Sequence, residues 1–157
     1  MIDKDGYRAN VAIALLNSRN RLFWGQRLNR SSWQFPQGGI SEGEPPLQAM
    51  YRELYEEIGL RPDDVEVLAS TQEWFKYDIP KGLLRSTTPI CLGQKQKWFL
   101  LRLTSSENAI NLEANKKPEF DNWRWVNYWY PINHVVNFKQ DVYRRALTHF
   151  KDYIYNK

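Results

Sequence analysis

One short segment, residues 47–58, constrains the fold more than any other part of the chain. Its apolar residues recur at helical spacing and form one stripe: Leu47, Met50, Tyr51, Leu54 and Ile58. Three acids lie on another face of the same helix: Glu53, Glu56 and Glu57. Like charges at this spacing repel, and a purely structural helix would gain by alternating lysine with these acids. The pattern therefore predicts a helix that buries one face and presents three carboxylates on the other.

The rest of the chain predicts mostly strands. Segments with strand-like patterning lie at residues 8–17, 21–27, 65–70, 72–77, 95–103 and 123–126. Residues 33–43 contain a proline and three glycines, which predicts a loop. Two prolines fit the first turn of the central helix, and from about Lys139 apolar residues every fourth position predict a closing amphipathic helix. This order favours a mixed α/β (α+β) fold in which helices flank a mixed sheet.

Length and composition bound the remaining possibilities. The 157 residues show no repeat or linker, which predicts a single domain over residues 1–157. The longest apolar run is six residues, against the ~20 that span a bilayer. The only cysteine, Cys91, and acids near the N-terminus instead of a signal peptide favour a cytoplasmic protein with no membrane partner. The net charge is +4, and the acids are concentrated in one segment while bases predominate elsewhere. This distribution is compatible with a polyanionic substrate.

A spaced set of residues surrounds the three acids. It reads G-x5-E-x7-R-E-U-x-E-E-x-G-U, where U is apolar, and comprises Gly38, Glu44, Arg52, Glu53, Leu54, Glu56, Glu57, Gly59 and Leu60. A chance match is on the order of 10⁻¹⁰ per start position. The chain thus resembles the Nudix hydrolases, which use divalent metals to hydrolyse nucleoside diphosphates linked to another group. The resemblance implies a Nudix-type α/β/α sandwich with a mixed sheet between helices.

Each position of this pattern has an expected role. Hard divalent cations prefer carboxylate oxygens, so the three helical glutamates are expected to bind metal, Mg²⁺ or alternatively Mn²⁺. The resemblance implies that Arg52 orients the carboxylates. Gly38 and Gly39 are expected to permit a tight turn where a Cβ would clash and a carbonyl can face metal, and Gly59 to end the helix. Glu44 is interpreted either as a brace or as an outer metal ligand. The expected chemistry is metal-assisted attack of water on phosphorus, with Glu119 as a fourth ligand or a general base.

Six further runs narrow the resemblance. Residues 7–11, 33–39, 93–99, 118–121, 123–125 and 138–143 look like those of the bacterial RNA pyrophosphohydrolases. Members of that branch remove pyrophosphate from the triphosphorylated 5′ end of RNA and leave a monophosphate that promotes mRNA decay. The same resemblance extends to diadenosine polyphosphate hydrolases, which is the alternative function. A third hypothesis, a Nudix-like module that binds nucleotides without cutting them, conflicts with the retention of every glutamate of the pattern.

The resemblance also implies a cleft for the first nucleotides. It places Arg27 opposite a segment that contains Val136, Phe138 and Lys139. Phe138 would stack a base and Lys139 would donate hydrogen bonds, although Phe138 also fits a core position at the start of the last helix. Arg8 and Lys95 are further candidates for phosphate contacts. The expected partner is 5′-triphosphorylated RNA rather than DNA, and the sequence is silent on protein partners.

Overall fold

The computed structural model describes residues 2–84 and 90–155. The strands are β1 (Tyr7–Leu16), β2 (Leu22–Arg27), β3 (Trp33–Gln34), β4 (Gln37–Gly39), β5 (Val65–Ser70), β6 (Phe75–Asp78), β7 (Gly93–Leu103) and β8 (Phe120–Val126). The helices are α1 (Pro46–Ile58), α2 (Tyr130–His134), α3 (Gln140–Phe150) and α4 (Asp152–Tyr155). None of the described helices is both long and apolar enough to cross a lipid bilayer.

All eight strands belong to one mixed sheet. Its main path runs β3-β2-β1-β7-β5, while β4 pairs with β1, β6 with β7 and β8 with β2. The central pair, β1 and β7, is parallel from Tyr7↔Gly93 to Leu16↔Arg102, and the other pairs are antiparallel. The mixed sheet expected from the sequence is therefore confirmed.

Strand β1 separates two hydrophobic cores, because its side chains alternate between the faces of the sheet. Ala12, Ala14 and Leu16 pack on the side that carries α3. The intervening residues, Val11, Ile13 and Leu15, pack on the side that carries α1. One helical layer thus covers each face, which confirms the α/β/α sandwich. We call these faces the α3 side and the α1 side.

Helix α1 covers residues 46–58, as the periodicity predicts. Gly59 ends it in the left-handed conformation at φ +75°, with its N–H bonded to the carbonyl of Tyr55. The expected orientation is wrong at two places. Leu47 is 47% exposed because it lies in the first turn, before the helix reaches the sheet. Glu53 and Glu57 are buried instead of facing solvent.

The predicted loop at residues 33–43 contains two short strands, β3 and β4. The β1 edge is free to pair with β4 at Asn10–Ala12, since β2 pairs with β1 only at Leu16↔Leu22. The strand predicted at 72–77 begins later, at Phe75. In the segment before it, the Thr71 N–H donates to the Trp98 carbonyl, but the Trp98 N–H donates to the Thr71 hydroxyl. Helix α2, only five residues long, was not predicted.

Candidate active site

Two buried carboxylates, Glu53 and Glu57, lie one helical turn apart where α1 faces β4. They are 8% and 6% exposed. The Gln37 N–H donates to Oε1 of Glu57 at 3.2 Å. Any Cβ on Gly38 would overlap the Glu53 carboxylate. The strand backbone therefore forms one wall of a narrow space that the two carboxylates fill.

Burial dominates the electrostatics of this pair. It raises the pKa of Glu57 well above its ordinary value, and the charges of Glu53 and Glu119 raise it further. Burial also raises the pKa of Glu53, although hydrogen bonds from Glu57 and Arg52 work in the opposite direction. The hydrogen bond between the two carboxyls raises the pKa of Glu57 and lowers that of Glu53, so a proton held by the pair is favoured on Glu57.

Arg52 organises the acids around this pair. Its guanidinium binds both oxygens of Glu44, each at 2.9 Å, and Oε1 of Glu53 at 2.7 Å. It also donates to the carbonyl of Gly39 at 2.8 Å and lies 3.4 Å from Glu56. The interaction with Arg52 lowers the pKa of Glu44 to about 2. Of the two interpretations of Glu44, its geometry is that of a brace between the loop and the helix.

The carboxylates of this region fit a divalent cation in chemistry and in charge. In residues 2–84 and 90–155, no three acidic, histidine or cysteine side chains already converge on one point. Glu56 turns toward Arg52 and Glu119 toward Arg27, at 3.4 and 3.7 Å. Both side chains are about two-fifths exposed, at 38% and 40%, so they can rotate. The buried pair offers hard oxygen donors whose negative charge only one arginine offsets, and a cation would relieve this cost.

Lys139 lies beneath this site and is not on an open surface. It is 7% exposed, and Nζ donates to the side-chain oxygens of Gln34 at 3.0 Å and Gln37 at 3.4 Å. Burial, followed by the charge of Arg27, lowers the pKa of Lys139 to about 8. Its expected role as a hydrogen-bond donor to the first nucleotides stays a prediction, although two glutamines already bind its ammonium.

A buried polar network, which the sequence analysis did not identify, extends from Lys139 into the sheet. Gln96 donates to Asn10 at 2.9 Å and to Gln37 at 3.4 Å, and all of its surface is buried. The sequence carries no signal for this burial, since Gln96 lies within the polar run 94–97 and Asn10 only precedes the apolar run of β1. Such a network holds the backbone of β4 in place against the carboxylates.

The other predicted cleft residues lie around Lys139 and this buried polar network. Arg27, at the end of β2, is 3.7 Å from Glu119. Phe138 is half-buried with its ring 5.8 Å from that of Tyr77, and Val136 is 45% exposed. The structure thus brings Arg27 and Lys139 close enough for their charges to interact, and Phe138 has both of the expected features, a core contact and an accessible surface.

Arg8 and Lys95 do not share a face of the sheet. In the parallel register Lys95 is opposite Ala9, on the α1 side, whereas Arg8 points to the α3 side with Asn10. Lys95 is bound to Asp3 at 3.1 Å and lies 4.8 Å from the ring of Trp74. Of the two, the exposed Arg8 is better placed to contact a ligand that lies over the buried polar network.

The two histidines of the chain, His134 and His149, lie at the surface. His134 stacks on Tyr130, and His149 lies edge-on to Phe75 at 6.5 Å. Neither contacts the carboxylate pair.

The fold and the carboxylate helix define a class of protein. Residues 6–148 match the NUDIX domain family, and the chain belongs to that family. A protein of Francisella philomiragia named RNA pyrophosphohydrolase is 77% identical over 154 residues, which cover 98% of this chain and 99% of the relative. Proteins of Francisella tularensis with the same name are 75% identical over the same lengths. The expected family and branch are therefore confirmed.

Solved structures agree on the fold. The dihydroneopterin triphosphate pyrophosphohydrolase of E. coli superposes with a TM-score of 0.72 at 18% identity, covering 91% of this chain and 98% of that one. The Ap4A hydrolase of C. elegans has a TM-score of 0.67 at 16% identity, covering 92% and 98%. At these identities the likeness concerns the architecture only.

Proposed function

We propose that this chain is a Nudix pyrophosphohydrolase that removes pyrophosphate from the triphosphorylated 5′ end of RNA, leaves a 5′-monophosphate and so promotes mRNA decay. The observation that carries the proposal is the buried Glu53–Glu57 pair under β4, at the edge of a cleft with Arg27 and Lys139. The relatives that share three quarters of the sequence are named RNA pyrophosphohydrolase, which supports RNA as the substrate. We also propose a cytoplasmic location, which an RNA substrate supports.

Nudix hydrolases generally need divalent metal ions, and we propose Mg²⁺, with Mn²⁺ as an alternative. Glu53, Glu56 and Glu57 would hold it, with Glu119 as a fourth ligand or as the base that takes the proton of water. When bound, such ions neutralise phosphate oxygens and lower the pKa of a water molecule. Arg52 keeps the carboxylates in position, because its five donors are shared among Glu44, its neighbours on α1 and Gly39.

The remaining cleft residues are assigned to the substrate. Arg27 and Arg8 would contact phosphate oxygens, and the accessible ring of Phe138 would stack the first base with Val136 beside it. Lys139 would contribute a positive field from below and hold Gln37, whose N–H fixes Glu57. Lys95 lies on the α1 side of the sheet, where it is bound to Asp3, and would contribute less.

The decisive experiment is incubation with Mg²⁺ and 5′-triphosphorylated RNA, with identification of the released group. We expect pyrophosphate as a single product, and no release by Glu53→Gln. Glu66→Gln provides a matched control, since Glu66 is exposed on β5. Successive release of orthophosphate, or full activity of a folded Glu53→Gln variant, would contradict the proposal.

The same assay with diadenosine tetraphosphate tests the alternative substrate. We expect a lower kcat/KM for this molecule than for triphosphorylated RNA. A clear preference for the dinucleotide would replace RNA by a dinucleoside polyphosphate and leave the proposed metal site unchanged.

A further inference from the structure

A row of stacked planar side chains lies at the outer edge of the sheet, apart from the carboxylate site. The guanidinium carbon of Arg124, on β8, is 4.9 Å from the ring centroid of Trp33 and 5.4 Å from that of Tyr130. Arg124 also donates to the Tyr130 hydroxyl at 2.7 Å. The Tyr130 ring stacks on His134 with centroids 3.7 Å apart and planes within 4°. We call Trp33, Arg124, Tyr130 and His134 the edge stack.

The edge stack is accessible and positively charged. Arg124 and His134 are exposed, whereas Trp33 and Tyr130 are half-buried. Arg124 forms no ion pair with any described carboxylate, so its charge is not neutralised. Tyr130 covers only one face of the His134 ring, and Nδ1 of that ring bonds to the Tyr130 carbonyl at 2.8 Å. The second face of His134 is therefore a flat platform held in one orientation.

The edge stack begins where the proposed nucleotide cleft ends. Trp33 is opposite Gln26, the neighbour of Arg27. Arg124 is opposite Trp24, three residues and about 10 Å along β2 from Arg27. Opposed side chains share a face, and Trp24 belongs to the core on the α3 side, where Phe138 also packs. An RNA strand that leaves the cleft along this face thus reaches the edge stack after a few nucleotides.

A groove continues the same surface beyond Tyr130. It encloses about 730 Å³ and includes Arg19, Arg21, Trp129 and Tyr155 among its walls. Trp129 and Tyr155 are 39% and 60% exposed, and their rings are parallel within 2°. Neither arginine of the groove pairs with an acid in the described part of the chain. Cations without partners next to exposed aromatic faces suit a single-stranded polyanion with planar bases.

We propose that the edge stack and the adjoining groove bind the downstream nucleotides of single-stranded RNA whose 5′ end lies in the candidate active site. This inference rests on the proposed function and extends it from the end of the RNA to the strand behind it. Unpaired bases stack on the aromatic and guanidinium planes, while the free N–H groups of the arginines contact phosphates. Paired bases cannot reach these planes, so the surface selects unpaired 5′ regions without selecting their sequence.

The kinetic test compares two triphosphorylated substrates, a dinucleotide and a single strand of about twelve nucleotides. We expect Arg124→Gln to lower the ratio of kcat/KM for the long over the short substrate about fivefold or more, the lower end of one lost stacking contact. The matched control is Arg61→Gln, because Arg61 stacks over Tyr55 at 4.8 Å on α1, which packs on the other side of the sheet. The control should keep the wild-type ratio. An unchanged ratio in a folded Arg124→Gln variant would overturn the inference.

A binding test separates this inference from the proposed function. Fluorescence anisotropy with 5′-hydroxyl single-stranded RNA, without added metal, reports the surface alone. We expect Arg124→Gln and the exposed variant His134→Ala to weaken binding, and Arg124→Gln to flatten the plot of log affinity against log salt by about 0.7. Equal binding by the wild type, both variants and Arg61→Gln would reject the surface even if pyrophosphate is released. If the variants weaken binding as expected but the wild type releases no pyrophosphate, the proposed function is rejected instead.

Discussion

At the scale of the residue, the main electrostatic cost of the site lies in the ionisation of Glu57. Its carboxyl is buried, accepts a hydrogen bond from Gln37 and lies against a second acid, so ionisation costs free energy in the metal-free fold. A structural helix would avoid such a residue. Its retention at this position is explained when a cation supplies the missing positive charge.

Replacement of Glu57 by glutamine separates stability from activity. The new side-chain amide keeps an oxygen that accepts from Gln37 and gains an N–H that donates to Glu53, as the protonated acid does. We expect Glu57→Gln to stabilise the metal-free protein at pH 7, because glutamine carries no charge to bury, and to abolish pyrophosphate release. Urea unfolding and the release assay measure the two effects. Glu66→Gln, an exposed control, should change stability by less than about 0.5 kcal/mol. A destabilised Glu57→Gln variant would mean that Glu57 is ionised in the metal-free fold.

The guanidinium of Arg52 provides a second prediction for a single residue. Arg52→Lys keeps the charge but loses the planar set of donors that binds both oxygens of Glu44 and reaches Glu53. We expect the variant to fold and its metal affinity or kcat to fall about 10- to 100-fold, as with other groups that orient metal ligands. Titration with Mn²⁺ and initial rates would measure this. Wild-type affinity and kcat together would contradict the positioning role.

At the scale of the element, α1 and β4 form the site by close approach. The sequence interpretation gave Gly38 and Gly39 both a turn role and a steric role, and neither adopts positive φ. The need for glycine at Gly38 is one of space, because the Glu53 carboxylate occupies the position of a Cβ. A Cβ on Gly39 would find its nearest neighbour, the Ala9 carbonyl, at 4.0 Å.

These two glycines form a matched pair of variants. We expect Gly38→Ala to displace Glu53 and reduce pyrophosphate release at least ~100-fold, since a misplaced ligand disturbs the whole site. Gly39→Ala should cost far less, because a methyl group fits there. Initial rates at saturating Mg²⁺, with circular dichroism to confirm folding, compare the two. Similar losses in both variants would restore the interpretation based on turn geometry.

Sequence periodicity was a reliable guide to this element and an incomplete one. The bounds of α1 followed from the apolar stripe, two prolines and Gly59, which are local signals. The burial of Glu53 and Glu57 did not follow, since it depends on β4, and β4 exists only because β1 offers a free edge to residues that look like a loop. Pairing with a distant strand leaves no periodic signal in three residues.

At the scale of the whole molecule, the two faces of the sheet carry different functional groups. The α1 side carries the acids, whereas the α3 side carries the buried lysine network and the edge stack. The order of strands and helices predicted helices flanking a sheet, and the motif predicted the acids. The sequence did not predict that Lys139, Gln37 and Glu57 would connect the layers through β4, because their contacts join residues 102 and 20 positions apart.

This connection makes the stability of the molecule depend on pH and metal together. In metal-free protein the folded pKa of Glu57 lies above its ordinary 4.5, so its stabilising contribution is complete below that value and is lost as the pH rises through the folded pKa. Glu44, whose pKa is about 2, is ionised in both states above pH 5 and adds no slope there.

Between pH 5 and 7 we therefore expect the free energy of unfolding of wild-type protein without metal to fall relative to Glu57→Gln. Saturating Mg²⁺ should reverse this trend, because protons compete with the ion at low pH, and at 100-fold excess over Kd it should add about 2.7 kcal/mol. Thermal unfolding with EDTA or Mg²⁺ at each pH tests this. A Mg²⁺-induced rise in Tm that is as large at pH 5 as at pH 7, or equally large in Glu57→Gln, would show that the ion stabilises the fold without displacing a proton from the buried pair.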